Sequence, residues 1–337
     1  MQTTTRRILV VALFSVFSLV PSRSAQPLVS LEMVNVGDPG NTADSTTFGA
    51  VDYVFDIGKY EVTIGQYNTF LGSVAAVTGD SYLINLWDAR MASDLNIAGI
   101  SRSGAGTTGD AYRYSVIGSG NHPIAYVSWF DAARFANWMN NGATHGASTE
   151  TGAYTLGGAT NGIYPVNPGA TWRLPSEDEW YKAAYYKSDG TNAGYWFYPT
   201  QSDTAPGNTI GGDPNQANYY ADDFAVTQSV DYFSSTNYLT DAGVFSNSPG
   251  AYGTFDQGGN LFEWNDAVIG SDRGLRGGAW FDLVKDLQST NRAHSGPSNE
   301  GFLVGFRLAS VPEPSTYALL LLGAGAVYAW KRRKRSL

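Results

Sequence analysis

The sequence predicts an α+β fold with few helices, small antiparallel sheets and long ordered loops. Three observations carry this. Three segments open with a helix cap followed by an apolar stripe, several short segments read as strands, and the remainder is rich in Gly, Asn, Ser, Thr, Tyr and Trp. Charged residues are only 15% of the chain and aromatic residues 14%, so the loops have rings to pack and few ions to solvate.

Both ends read as addresses. Arg6 and Arg7 precede an apolar run of about 13 residues and Pro21, with Ser22 and Ser24 suiting the −3 and −1 positions of a signal-peptidase site. The run is shorter than the roughly 20 residues of a spanning helix, so residues 1–24 are expected to be a cleaved signal peptide. At the other end, residues 311–337 begin Val-Pro-Glu-Pro-Ser-Thr, continue through an apolar segment at 317–330 and close on the basic tail 331–335. Basic residues after an apolar segment stay in the cytoplasm, which places the domain ahead of them outside. A plain single-span tail anchor has the same layout, but the Pro-Glu-Pro opening resembles the PEP-CTERM sorting signal that an exosortase cleaves. The expected partners are therefore signal peptidase and exosortase-type machinery, with membrane contact only through the C-terminal segment before processing. The expected location is the cell envelope, cell surface or extracellular matrix.

Between these signals, residues 28–309 read as one domain, with no internal repeat and no linker. Removing residues 1–24 and the basic tail 331–335 takes away eight of the 21 Lys and Arg and none of the 30 Asp and Glu, which leaves 13 against 30, a net charge of −17. Such a field repels phosphate polyanions and attracts divalent cations, so nucleic acid is not an expected partner and calcium is a natural one. Cysteine is absent, so disulfides and thiol chemistry are excluded. A core of this length can dispense with disulfides.

Each expected helix has a capping box, in which a Ser or Thr and a residue three positions on satisfy each other's backbone amides. Thr63 pairs with Gln66, Ser128 with Asp131, and Ser176 with Glu179. Ala132, Phe135, Ala136 and Met139 form the second helix's buried stripe, and Trp180, Ala183 and Ala184 the third's. Strands are expected in YVFDIGKYEVT, in GLRGGAW from Gly274 to Trp280, and in the closing VGFRLA. The irregular stretches 140–169 and 201–216 are too long for passive turns, and packing or metal is expected to order them.

Five islands appear in order: GKYEVT from Gly58, HPIAYVSW from His122, WRLPSEDEW from Trp172, GNLFEW from Gly259, and RGGAW from Arg276 followed by Gly305-Phe306-Arg307. Together they resemble the formylglycine-generating-enzyme (sulfatase-modifying factor) family over nearly the whole mature chain. The resemblance implies an elaborated C-type-lectin-like α+β domain. On physical grounds Gly277-Gly278 permits a close backbone approach, and Arg307 suits a buried, hydrogen-bonded charge.

The resemblance also implies two structural calcium ions. Asp256 and Glu263 side chains with the carbonyls of Gly259 and Leu261 would form one site; hard oxygens from a tight glycine loop are what calcium takes. Asn218 and Asp222 side chains with the carbonyls of Tyr219 and Phe224 would form the other. Asx-turns without metal are the competing reading of both.

The family's copper-binding cysteines fall, by count from Gly277-Gly278, at Asp282 and Leu287, and its usual serine at Ala279. A carboxylate and an aliphatic chain cannot hold copper(I) as thiolates do, so neither copper nor formylglycine-generating oxidase activity is expected. The related ergothioneine-forming iron enzymes take their histidines largely from a helical domain this chain lacks, and His122, His145 and His294 have no partner at ligand spacing.

Two functions follow. One is a noncatalytic, calcium-stabilised lectin-like module contacting envelope polysaccharide or protein through exposed aromatic rings. The other is an enzyme that modifies an envelope protein or polysaccharide by cysteine-independent chemistry in the same cleft, with Asp282, Arg292 and His294 as its polar set.

Overall fold

The computed structural model describes residues 26–311, so the signal peptide and all but the first residue of the 311–337 segment lie outside the described residues. One four-stranded antiparallel sheet, in the order β1-β2-β10-β5, combines β1 (Met33–Val36), β2 (Phe55–Gly58), β10 (Ala309–Ser310) and β5 (Trp172–Arg173). It ties together both ends of the domain. A second sheet has the order β8-β7-β6-β9, from β6 (Phe262–Ile269), β7 (Asp272–Arg276), β8 (Ala293–Ser295) and β9 (Val304–Phe306). A hairpin of β3 (Ile100–Ser103) and β4 (Arg113–Val116) stands apart, paired from Ile100↔Val116 to Ser103↔Arg113.

The three expected caps all form. Thr63, Ser128 and Ser176 begin α1 (Ile64–Val74), α4 (Trp129–Asn140) and α5 (Glu177–Tyr185), each with a reciprocal capping box. Two one-turn helices, α2 (Ser81–Ile84) and α3 (Arg90–Ser93), and a 3₁₀ turn at Val284–Leu287 add to them.

Three features depart from the sequence expectation. Helix α4 is buried on all sides from Trp129 to Met139 rather than along one stripe. Its polar members are internally satisfied: Arg134 pairs with Glu150 at 2.8 Å, and Asn137 donates to the carbonyls of Thr149 and Tyr154. Second, the sheets are not wholly antiparallel, because β9 lies parallel to β6 from Phe262↔Val304 to Trp264↔Phe306. Between β6 and β9 the chain runs through β7 and β8 and then returns across the sheet through residues 296–303, a connection long enough for a parallel pair. Third, the strand expected over Gly274–Trp280 ends at Arg276, because Gly277 (φ 106°) and Gly278 (φ 74°) turn the backbone into conformations no strand residue adopts.

The main core gathers α1, α4 and the second sheet, with Tyr67, Phe70, Phe135, Trp138 and Phe306 in mutual ring contact. Side-chain amides hold the stretch 140–169, where Asn141 reaches the carbonyls of Ser148 and Thr151, and Asn167 that of Gly152. Packing and hydrogen bonds within the chain therefore account for its order.

Candidate functional site

The five sequence islands meet in one charged interior. Within WRLPSEDEW, Arg173 pairs with Glu179, while Glu177 accepts from Arg276 at 2.7 and 3.0 Å. The Trp180 indole N–H donates to Glu263 at 2.8 Å, and Arg307 grips the same carboxylate through Nε and Nη2, both at 2.6 Å. Trp264 donates to the Val127 carbonyl, and Thr63 bridges to Pro123, joining the first, second and fourth islands. Charge-assisted, two-pronged pairs of this kind fix orientation as well as distance.

Glu61 completes this centre. Its Oε1 is buried without a hydrogen-bond partner among the described residues, while Asn260 Nδ2 reaches Oε2 at 3.4 Å. Burial raises the Glu61 carboxyl well above the usual carboxylate range, and the neighbouring Glu263 and Asp256 raise it further. Burial likewise pushes Asp256 up to about 6, although its Oδ2 accepts the Gly243 N–H at 2.7 Å. Three carboxyl groups thus share one guanidinium, that of Arg307, and a buried excess of negative charge is costly unless a proton or a cation offsets it.

The expected calcium set Asp256, Gly259, Leu261 and Glu263 lies on this loop. Asp256, Gly259 and Asn260 have φ of 60°, 81° and 60°, so the loop turns tightly, and its Gly259 and Asn260 N–H groups are spent on the carbonyls of Gly277 and Asn218. Hard oxygens, a tight turn and an orphaned carboxylate oxygen suit a cation such as calcium, although both Glu263 oxygens are already engaged by Arg307 and Trp180. Among the described residues no three His, Asp or Glu side chains stand together as a metal cluster, so any cation here draws on carbonyls as well.

The other set, Asn218, Tyr219, Asp222 and Phe224, is less convergent. Asn218 Nδ2 donates to Tyr238 O and to Asn260 Oδ1, while Asn260 N–H donates to Asn218 O at 2.8 Å, which stitches Asn218 to the Asp256–Glu263 loop. Asp222 instead lies exposed at φ 69°, beside a cavity of about 470 Å³ lined by Tyr219, Tyr220, Leu283 and Lys285. The Phe224 carbonyl already accepts the Gln228 and Thr227 amides. Asn208, which sequence reading missed, reaches this turn instead, donating to Asp223 Oδ1 at 2.7 Å and to its carbonyl at 3.0 Å. No signal in the sequence separates it from the many other loop asparagines.

The segment after Gly277-Gly278 carries Asp282 and Leu287. Asp282 folds onto its own turn, Oδ2 accepting the Ala279 N–H at 3.1 Å, and burial raises its carboxyl to about 6. Leu287 is buried against Tyr198, Ala217 and Tyr219. The polar set Asp282, Arg292 and His294 is not drawn together by any shared partner. Arg292 is clamped on Glu177 at 2.6 and 2.7 Å, and His294, on the edge strand β8, has Nδ1 2.7 Å from Asp272 of β7. Of the other histidines, His145 is exposed, and burial lowers the His122 imidazole despite Asp241 at 3.5 Å.

Beside Asp282 an aromatic cluster reaches the surface. Trp280 and Tyr238 are buried, whereas Tyr232, Phe281 and Phe302 around them are 52%, 47% and 41% exposed.

Residues 39–311 match the family described as the sulfatase-modifying factor enzyme 1-like domain, and residues 310–334 match the PEP-CTERM protein-sorting motif. Among curated proteins, the chain is 25% identical over 277 residues to the serine/threonine-protein kinase Pkn1 of Chlamydia trachomatis, covering 76% of this chain and 33% of that protein. It is 24% identical over 212 residues to pkn1 of Chlamydia pneumoniae, covering 57% of this chain and 24% of that protein. The chain thus spans a third or less of the length of these relatives. Similar solved structures include the crystal structure of CarF, at 22% identity and TM-score 0.47, covering 83% of this chain and 98% of that one. PvdO from Pseudomonas aeruginosa gives 17% identity and TM-score 0.42, covering 83% and 91%.

Proposed function

Because the chain belongs to the sulfatase-modifying factor enzyme 1-like family and carries a PEP-CTERM sorting motif, we propose that it is a noncatalytic, calcium-stabilised, lectin-like binding module. Its fold is the family's C-type-lectin-like elaboration, with few helices and small sheets. The sorting motif implies export, exosortase-type processing and sorting to the cell surface.

The observation that carries the noncatalytic reading is the chemistry of two positions. Where the family's resemblance places reactive cysteines, this chain has Asp282, bonded within its own turn, and Leu287, packed in the interior. Neither supplies a thiolate, and the chain contains no cysteine that could. The segment instead leads from the half-exposed Phe281 into the aromatic cluster, which gives a binding surface in place of a reacting group. The kinase name of the Chlamydia relatives belongs to proteins matched over a third of their length or less, and no phosphoryl chemistry is carried to this chain.

For calcium, the proposed ligands are the Asp256 and Glu263 side chains with the Gly259 and Leu261 carbonyls, supported by the acid excess around Glu61. A cation there would neutralise charge that the fold otherwise has to protonate. The Asn218–Phe224 loop, through Asn218, Tyr219, Asp222 and Phe224, is the second proposed site. Metal analysis of the purified chain, with thermal melts before and after chelation, tests the calcium reading, because a ligand bound only by the folded state raises stability by mass action. Bound calcium and a melt lowered by chelation are expected. No calcium and an unshifted melt would retire both sites. Turnover assays on envelope polymers test the noncatalytic reading: conversion abolished by Asp282→Ala or His294→Ala would replace it with the enzyme alternative.

A further inference from the structure

We propose that the outer face of Tyr232, flanked by Phe281, is a stacking shelf for the sugar rings of a neutral polysaccharide. This rests on the reading of the domain as a binding module and names the class of ligand it takes. The central observation is a stack of three nearly parallel rings. Tyr238 lies 4.8 Å from Trp280 at an interplanar angle of 3°, and 5.7 Å from Tyr232 at 8°. Trp280 and Tyr238 are buried, so the stack ends at the surface in Tyr232, which has one face on Tyr238 and is half exposed. Phe281 stands 6.1 Å from Tyr232 at 83°, and Phe302 packs edge-on to Trp280 at 6.5 Å.

The shelf is held in place before any ligand arrives. Tyr232 donates its hydroxyl to Asn96 Oδ1, and Asn96 Nδ2 holds the carbonyls of Phe233 and Thr236. The Phe233 N–H in turn donates to the Tyr238 hydroxyl at 2.7 Å. Rings fixed in this way lose little freedom on binding. Three half-exposed rings gathered around one buried stack also differ from the singly scattered apolar residues of an ordinary surface.

Chemistry and charge select the ligand. An aromatic face is negative at its centre and attracts the partly positive C–H groups on the flat side of a hexopyranose. The same face would stack a nucleobase, but phosphates would meet carboxylates here. Asp94 accepts the Tyr126 hydroxyl and the Asn96 N–H beside Tyr232, burial together with Asp94 raises the Tyr232 hydroxyl pKa, and Asp88 stands on the Arg90 that stacks over the same Tyr126 ring. The exposed cation beside them, Arg90, is already paired with Asp88 at 2.8 Å. Polyanions, acidic glycans included, are therefore repelled, whereas the hydroxyls of a neutral glycan can donate to Asp94. The Trp280 indole N–H, buried in the same cluster, has no partner among the described residues.

The test is affinity electrophoresis of the purified full chain through gels containing dextran, soluble β-glucan or galactomannan, and through gels containing alginate. The chain is expected to be retarded by at least one neutral polymer and not by alginate. Tyr232→Ala and Phe281→Ala, each with an unchanged melting temperature, are expected to weaken retardation by about tenfold or more, as loss of one stacked ring predicts, while Tyr232→Phe retains it. Retardation that survives in both alanine variants overturns the shelf but leaves the binding-module reading standing. Binding only to alginate, or to purified envelope proteins and no polysaccharide, overturns the choice of ligand. Absence of binding to every probe overturns the shelf and the binding-module reading together.

Discussion

Glu263 and Arg307 meet through two parallel 2.6 Å contacts, with both side chains 0% exposed. Removing one partner from such a pair leaves an uncompensated buried charge. Arg307→Met is expected to lower unfolding stability by about 3–5 kcal/mol in urea titrations. The double variant Glu263→Leu/Arg307→Met should recover a large part of that loss. A single variant that melts like the parent would show that the pair does not anchor the centre.

The pH dependence has a defined sign. Burial raises Asp256 from 3.8 to about 6 and Asp266 from 3.8 to about 7, so the folded chain binds protons that the unfolded chain releases. The stability they contribute is present in acid and is lost as pH rises through that window. In chelator, the melting temperature should therefore fall between about pH 4 and 7, with a smaller opposing gain as His122, held neutral by burial, stops favouring the unfolded state near its ordinary 6.5. Calcium should flatten the slope that Asp256 contributes, and Asp256→Asn should remove it. A melting temperature that climbs steadily across this window in chelator would contradict the acid-excess account.

Gly278 combines a φ of 74° with a crowded Cβ position, where a methyl group would lie 2.9 Å from Leu287 Cδ1 and 3.1 Å from the Asp286 carbonyl carbon. Gly142 has a similar φ of 86° but open space. Gly278→Ala should therefore cost about 1–3 kcal/mol more than Gly142→Ala, because overpacking adds to the shared backbone strain. Equal denaturation midpoints for the two variants would show that Leu287 yields freely.

Ser176 accepts the Glu179 N–H, and Glu179 returns to the Ser176 amide at 2.8 Å. Ser176→Ala should cost about 1 kcal/mol, read as a shifted denaturation midpoint. Ser128→Ala should cost more, because the Ser128 hydroxyl also donates to Asp131, whose carboxyl burial has already raised to about 6.

Such caps were legible in the sequence because their geometry is local: Thr63, Ser128 and Ser176 each need only a partner three residues on. Arg307 was legible for a related reason, a lone cation beside an apolar closing strand. Features set by distant chain were not. Nothing near Arg134 or Asn137 signals that Glu150 and the 149–154 loop will bury them, so α4 read as amphipathic. The parallel partnership of β6 and β9 depends on where the 296–303 crossover lands. At the candidate site, Asp256, Gly259 and Glu263 share one short motif and could be read together. Glu61, some 200 residues upstream, joins them only in three dimensions. The tie between Asn218 and Asn260 was hidden for the same reason, as was the reach of Asn208 to Asp223.

The most direct measurement exposes the purified chain, supplied with copper and dioxygen, to a cysteine-bearing substrate peptide and follows the peptide by mass spectrometry. With Asp282 and Leu287 at the positions that resemblance assigns to thiolates, the cysteine should persist unaltered at every time point. Formation of the aldehyde in proportion to the amount of chain added would contradict the account of this domain as a noncatalytic module.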